Sequence, residues 1–186
     1  MSKGKLFVIS GASGVGKSTV LKQVMGGRED LSFSVSATTR SPRPGETEGV
    51  SYYFVTREQF QDMIEKEAFL EYDGHMSNFY GTPIAQVEEK LEKGHVILDI
   101  DPKGAFQVLS KRDDATLIFI APPSMEELER RLRGRGDTSE DQMQERLERA
   151  QWEMAQRHKY DEVVINENVD ECADKILSII AEKADL

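Results

Sequence analysis

Between residues 11 and 19 the chain reads GASGVGKST, and chemistry is most legible there. Gly11, Gly16, Lys17 and Ser18 satisfy the phosphate-loop pattern G-x-x-x-x-G-K-[ST]. Glycines let such a loop curl so that its backbone N–H groups face phosphate oxygens. Those groups belong to Ala12, Ser13, Gly14 and Val15, and then to Gly16 through Thr19. A helix opening at Lys17 adds partial positive charge at its N-terminus. Lys17 would reach the outer phosphates of a nucleoside triphosphate, and the Ser18 hydroxyl would bind Mg²⁺. The partner segment is VILDID at 96–101, an apolar run ending in Asp99 and Asp101. In phosphate-loop proteins an acid at a neighbouring strand end holds Mg²⁺, directly or through water, a role expected of Asp99. Taken alone, either aspartate also reads as a strand cap. No Asn-Lys-x-Asp stretch occurs, which counts against a GTPase.

The 186-residue chain carries a formal net charge of −10. Affinity for nucleic acid comes mainly from Lys and Arg, so a chain this acidic is a poor general binder of it. Any anion must be held by locally concentrated positive charge. Arg130, Arg131, Arg133, Arg135, Arg146 and Arg149 supply one concentration, although the interleaved acids also allow a salt-bridged helical surface. The single cysteine, Cys172, excludes an intramolecular disulfide, and three scattered histidines argue against a zinc site. The opening MSKGKLFVIS is too short for a signal peptide, and no run of 18 apolar residues occurs. A cytoplasmic location, with no nucleic-acid or membrane partner, is the expectation.

These residues need elements to position them. KLFVIS (5–10), HVILDI (95–100), TLIFIA (116–121) and EVVIN (162–166) are short β-branched runs without strict alternation, which suits strands covered on both faces. Helical patterns intervene. One follows the glycine loop at 17–25. A second, at 56–69, opens with a capping box from Thr56 to Gln59 and puts Phe60, Met63 and Ile64 on one face. A third, at 124–132, opens with Ser124 and Glu127 and repeats Leu128 and Leu132. A fourth, at 139–157, aligns Met143, Leu147, Ala150 and Met154, and a last helix starts near Asp170 with Cys172, Ile176, Ile179 and Ile180 at helical spacing. The alternation predicts an α/β domain with a parallel sheet flanked by helices. Two segments interrupt it. FSVSA, SYYFV, FLEYD and NFYGT predict a mixed-β insertion, and residues 124–153 predict a strandless helical one.

SVSATTRSPRPGETEGVSYYF (34–54), FLEY (69–72), NFYGT (78–82), ILDID (97–101) and GRG (134–136) follow the loop in that order. Together with it they closely resemble guanylate kinases, enzymes that phosphorylate GMP with ATP, and the likeness covers nearly the whole chain. The resemblance implies a single domain over 1–186, with a core at 1–33, 83–123 and 154–186. A GMP-binding subdomain would occupy 34–82 and a lid 124–153. It puts the GMP phosphate on Arg40, Arg43, Tyr52 and Tyr80 and the guanine on Ser36, Glu71 and Thr82, with Gly81 and Asp101 completing the site. It names Lys17, Arg40, Arg131, Arg135 and Arg146 as catalytic, Asn166 as the adenine-side edge, and Mg²⁺ with ATP as the working pair. Arg130, Arg133 and Arg149 are left to solvent or to neighbouring acids. Oligomeric state stays open.

The chemistry of these residues suits the roles. Arginines and phenols offer planar forks and short donors to a phosphate dianion, and Pro42 and Pro44 stiffen the loop that carries Arg40 and Arg43. A carboxylate at Glu71 accepts from guanine N1–H and N2–H, where adenine would present a lone pair; Ser36 or Thr82 would donate to O6. Taken singly, each has an ordinary alternative: surface arginines, rim tyrosines, a solvated Glu71, or SPRP as a phosphorylation motif or polyproline ligand. Two other functions share the scaffold. A phosphopeptide-binding module would tolerate a degraded phosphate loop, but Gly16, Lys17 and Ser18 are intact. A phosphorylated-sugar kinase would have no use for Ser36 and Glu71 as guanine readers.

Overall fold

The computed structural model describes residues 3–26, 28–75, 77–134 and 139–184. The four apolar runs form β1 (Leu6–Gly11), β7 (His95–Asp99), β8 (Thr116–Ala121) and β9 (Glu162–Ile165), joined by β2 (Leu31–Phe33). They make one sheet in the order β2-β7-β1-β8-β9, and every pairing in it is parallel. All six residues of β1 are buried. Leu6 and Val8 pack into one apolar cluster with Val87, Leu91 and Leu98, whereas Phe7 and Ile9 pack into another with Val20, Leu21 and Ile176. Both faces are apolar, so the sequence shows no polar alternation.

Helices cover both faces. α1 (Lys17–Val24) and α7 (Val169–Ala184) lie against the Phe7 side. α3 (Ile84–Leu91) and α4 (Pro102–Lys111) lie against the Leu6 side. Neither α3 nor α4 was read from the sequence. Both carry signals: Ile84, Val87 and Leu91 share a face, and Asp101 caps α4 by accepting from Gly104 N–H at 2.9 Å, with Pro102 in the first turn.

A second sheet has the order β4-β3-β6-β5, from β3 (Ala37–Thr38), β4 (Tyr53–Phe54), β5 (Phe69–His75) and β6 (Asn78–Pro83). The β3–β4 pair is parallel and the others antiparallel. Behind it lies α2 (Arg57–Glu65), opened by the Thr56–Gln59 capping box. Its Phe60 stacks on Phe69 with ring centroids 4.5 Å apart. FSVSA, read as one strand, is divided between the sheets. Phe33 ends β2 beside β7, and Ala37 opens β3 after the chain crosses over.

The strandless segment holds α5 (Met125–Arg133) and α6 (Glu140–Ala155). Ser124 accepts from Glu127 N–H to cap α5, and Ser139 forms a full capping box with Gln142. Leu128, Leu132, Met143 and Ala150 tie both helices to the cluster that also holds Val15.

Candidate functional site

β1 and β7 pair with Ile9 opposite Asp99. The loop after β1 and the carboxylate at the end of β7 therefore meet at the carboxyl edge of the sheet, where ligands bind in open α/β sheets. Gly16 precedes α1 with φ of 94°, a left-handed conformation open to glycine and costly for other residues. No side chain caps α1, so its first N–H groups stay available to an anion. Lys17 Nζ lies 2.5 Å from Asp99 Oδ1 and donates to Ile100 O at 3.3 Å. Ser18 is exposed at the first turn. An anion already sits on this loop: Ser13 N–H donates to Glu153 Oε2 at 2.6 Å. Residues 11–19, Asp101, Arg149 and Glu153 line a cavity of about 370 Å³.

A second cavity, of about 830 Å³, adjoins it. Ser36, Tyr52, Glu71 and Tyr80 line it, facing Lys103 and Trp152. Glu71 is 8% exposed. Burial pushes its carboxyl above the ordinary range near 4.5, against the opposing hydrogen bond from Thr82 and with the charge of Asp101 adding to the rise. Thr82 is fully buried and donates its hydroxyl to Glu71 Oε1 at 2.5 Å. Its hydroxyl proton is thus engaged by the carboxylate that the sequence assigned beside it to the guanine. Gly104 makes room on the other side. A Cβ there would meet Glu71 Oε2 at 3.1 Å and Ile100 Cδ1 at 3.3 Å.

Arg40 grips Glu46 with both guanidinium branches, at 2.8 and 3.0 Å, and lies 5.3 Å from the Tyr52 ring centroid. The Tyr52 and Tyr80 rings approach edge-on at 6.1 Å. Arg40, followed by the Arg43 N–H, holds the Glu46 carboxyl down to about 2. Arg43 itself is exposed on the loop, and Gly81 is buried in β6 opposite Ala37.

Among the arginines of the strandless segment, Arg130 and Arg133 meet the expectation of pairing with the interleaved acids. Arg130 pairs with Glu127, and Arg133 with Glu129 and Glu140, as solvated residues do. Arg131 donates to Glu127 and to Asn166 O at 2.9 Å, in a separate cavity of about 250 Å³ that shares the loop. Asn166 is 3% exposed and donates to Val15 O at 2.8 Å. Arg146 is exposed and outside the linings of these cavities. Arg135 lies outside the described residues. Arg149, left by the sequence to solvent or to neighbouring acids, is exposed and pairs with Glu153 and Asp101, and it also lies in the wall between the loop and the second cavity. Sequence reasoning missed Glu46, Gly104 and Glu153. Only the four-residue interval from Arg149 to Glu153 signalled any of them.

A phosphate loop at the central strand, with a second cavity set across one wall from it, defines a nucleotide-binding α/β protein of the P-loop class. A sequence model described as guanylate kinase matches residues 3–183. A guanylate kinase of Prochlorococcus marinus subsp. pastoris is 46% identical over 177 residues, covering 95% of this chain and 96% of the relative. One from Thermus thermophilus is 47% identical over 179 residues, covering 96% and 81%. The crystal structure of guanylate kinase from Anaplasma phagocytophilum superimposes with a TM-score of 0.73 at 37% identity, covering 98% of this chain and 87% of that one. The chain belongs to the guanylate kinase family.

Proposed function

We propose that the protein transfers the γ-phosphoryl group of ATP to the α-phosphate of GMP, and of dGMP, giving ADP and GDP in the recycling of guanine nucleotides. The observation that carries this reading is the shared wall. Asp101 and Arg149 line both the loop cavity and the cavity of Glu71 and Tyr80, so two phosphates bound there would face each other. Residues 34–82 act as the acceptor subdomain and 124–153 as a lid on the remaining core. The reaction belongs in the cytoplasm, where both nucleotides circulate.

In this reading the loop amides and Lys17 hold the β- and γ-phosphates of ATP, with Asn166 and Arg131 on the adenine side. Glu71 accepts from guanine N1–H and N2–H, steadied by Thr82, and Ser36 donates to O6. Arg40, Arg43, Tyr52 and Tyr80 hold the acceptor phosphate. A phosphate monoester has a second pKa of about 6, so its nucleophilic oxygen is already ionised at neutral pH and needs no general base. The obstacle is repulsion between two anions, which Lys17 and the arginines offset while stabilising charge in the transition state. Mg²⁺ favours one or two protein oxygens completed by phosphates and water; Ser18 and Asp99 offer such oxygens at the loop. When bound, it would neutralise charge on the β- and γ-phosphates. An α-helix rises about 1.5 Å per residue, so Arg146 sits about 10 Å along α6 from Glu153 at the loop. Its catalytic role requires closure of the lid, which would also exclude water as a competing acceptor.

ADP release measured with ATP and each of GMP, dGMP, AMP, CMP and UMP tests the reading. Turnover restricted to the guanine nucleotides is expected. Equal turnover with all five would overturn it.

A further inference from the structure

We propose that Arg149 contacts the transferring phosphoryl group, and that Glu153 tethers it in position. The inference rests on the phosphotransfer reading above. Among the residues lining the two cavities, Asp101 and Arg149 are the two common to both. Asp101 is anionic and its Oδ1 is engaged in capping α4. Arg149 is therefore the cation available where the group must cross.

Its surroundings differ from those of an ordinary helix-surface arginine. Arg133 and Glu129, also four residues apart, are 45% and 43% exposed, which is the solvated pairing that contributes little. In the Arg149–Glu153 pair the exposures are 55% and 4%. Burying a carboxylate is costly unless its oxygens are satisfied, and here they are shared out. Oε2 accepts from Ser13 N–H of the phosphate loop at 2.6 Å, and Oε1 accepts from Arg149 Nε at 3.0 Å. A continuous chain thus runs from the loop backbone through Glu153 to the guanidinium. Glu153 grips Arg149 through Nε, while the terminal Nη2 reaches Asp101 Oδ2 at only 3.5 Å. That loose contact is one a phosphate dianion, with more charge and three acceptor oxygens, would displace. Trp152, one residue before Glu153, lines the acceptor cavity near Lys103, so this part of α6 already borders the acceptor before any closure. Donors fixed ahead of the reaction stabilise developing charge without reorganising.

The test is ADP release with ATP and GMP varied independently, comparing wild type, Arg149→Ala and Arg149→Lys. Arg149→Ala is expected to lower kcat by about 10²-fold while both KM values stay within about threefold, the signature of an interaction made in the transition state. Arg149→Lys should recover less than about a tenth of the loss, because a point charge cannot replace the planar fork. A kcat for Arg149→Ala within about threefold of wild type, or a loss confined to KM, would overturn the proposal. Arg149→Ala also removes the donor to the buried Glu153 Oε1, so its Tm should fall somewhat; turnover is therefore read well below that Tm, and a kcat that returns to the wild-type value there would also overturn the proposal. Failure of the wild type itself to release ADP with GMP would remove the parent reading instead.

Discussion

The phosphate loop presents backbone, whereas the pocket around Arg40 and Glu71 presents side chains. In the loop, nine consecutive residues line one cavity, and the donors are peptide N–H groups whose direction follows from glycine dihedrals. In the pocket, Ser36, Tyr52, Glu71 and Tyr80 come from separate stretches of a small sheet and its connecting loops. Glu71 in its wall and Arg40 beside Tyr52 each have a dedicated holder: Thr82 for Glu71, and Glu46 for Arg40. A backbone site is insensitive to most side-chain changes but depends on its lysine. A side-chain site selects its ligand finely and fails one contact at a time.

Variants can break that contrast. Lys17→Ala should have the largest effect, lowering kcat by about 10³-fold with any acceptor, since it removes a preorganised charge from the transferring group. An unchanged kcat in the ADP-release assay would show that the loop works by backbone alone. Glu71→Gln should lower kcat/KM for GMP by about 10²-fold, the cost of a buried donor left unpaired against guanine. The same variant carries a stability signature. Because burial raises the Glu71 pKa above 4.5 in the folded protein, its ionisation opposes folding. That penalty is absent at acidic pH and grows as pH rises past the unfolded value. Glu71→Gln should therefore melt no lower than wild type at neutral pH, with its relative advantage shrinking in acid; calorimetry at two pH values measures it.

Glu46→Gln should give the smallest effect, raising KM for GMP about tenfold, the scale of one weakened hydrogen-bonded pair, with kcat less affected. Here the sign is opposite. The folded Glu46 carboxyl is depressed from 4.5 to about 2, so its contribution is complete above 4.5 and is lost only as pH falls through about 2. The KM for GMP should thus show no Glu46 titration across the neutral range. A step there would mean that Arg40 is held by something else.

The sequence by itself determined the α/β class, the phosphate loop, the four apolar strands and most helix faces. Each depends on neighbours in the chain: a nine-residue motif, a periodicity, a capping pair. It left α3 and α4 unread despite their local signals, and it joined FSVSA into one strand because nothing local says where the chain changes sheets. Tertiary structure alone decided what separate elements do to one another. Thr82 is within hydrogen-bonding reach of Glu71 only because β5 and β6 pair with Glu71 opposite Thr82. Gly104 matters only because α4 passes so close to Glu71 that a Cβ there would press on its Oε2 at 3.1 Å. Arg149 and Glu153 read as one more surface pair on an Arg-rich helix. Their difference from the others is that α6 lies with Glu153 on the Ser13 amide and Arg149 in the wall between two cavities. Local spacing encodes which residues share a face, but not what that face meets.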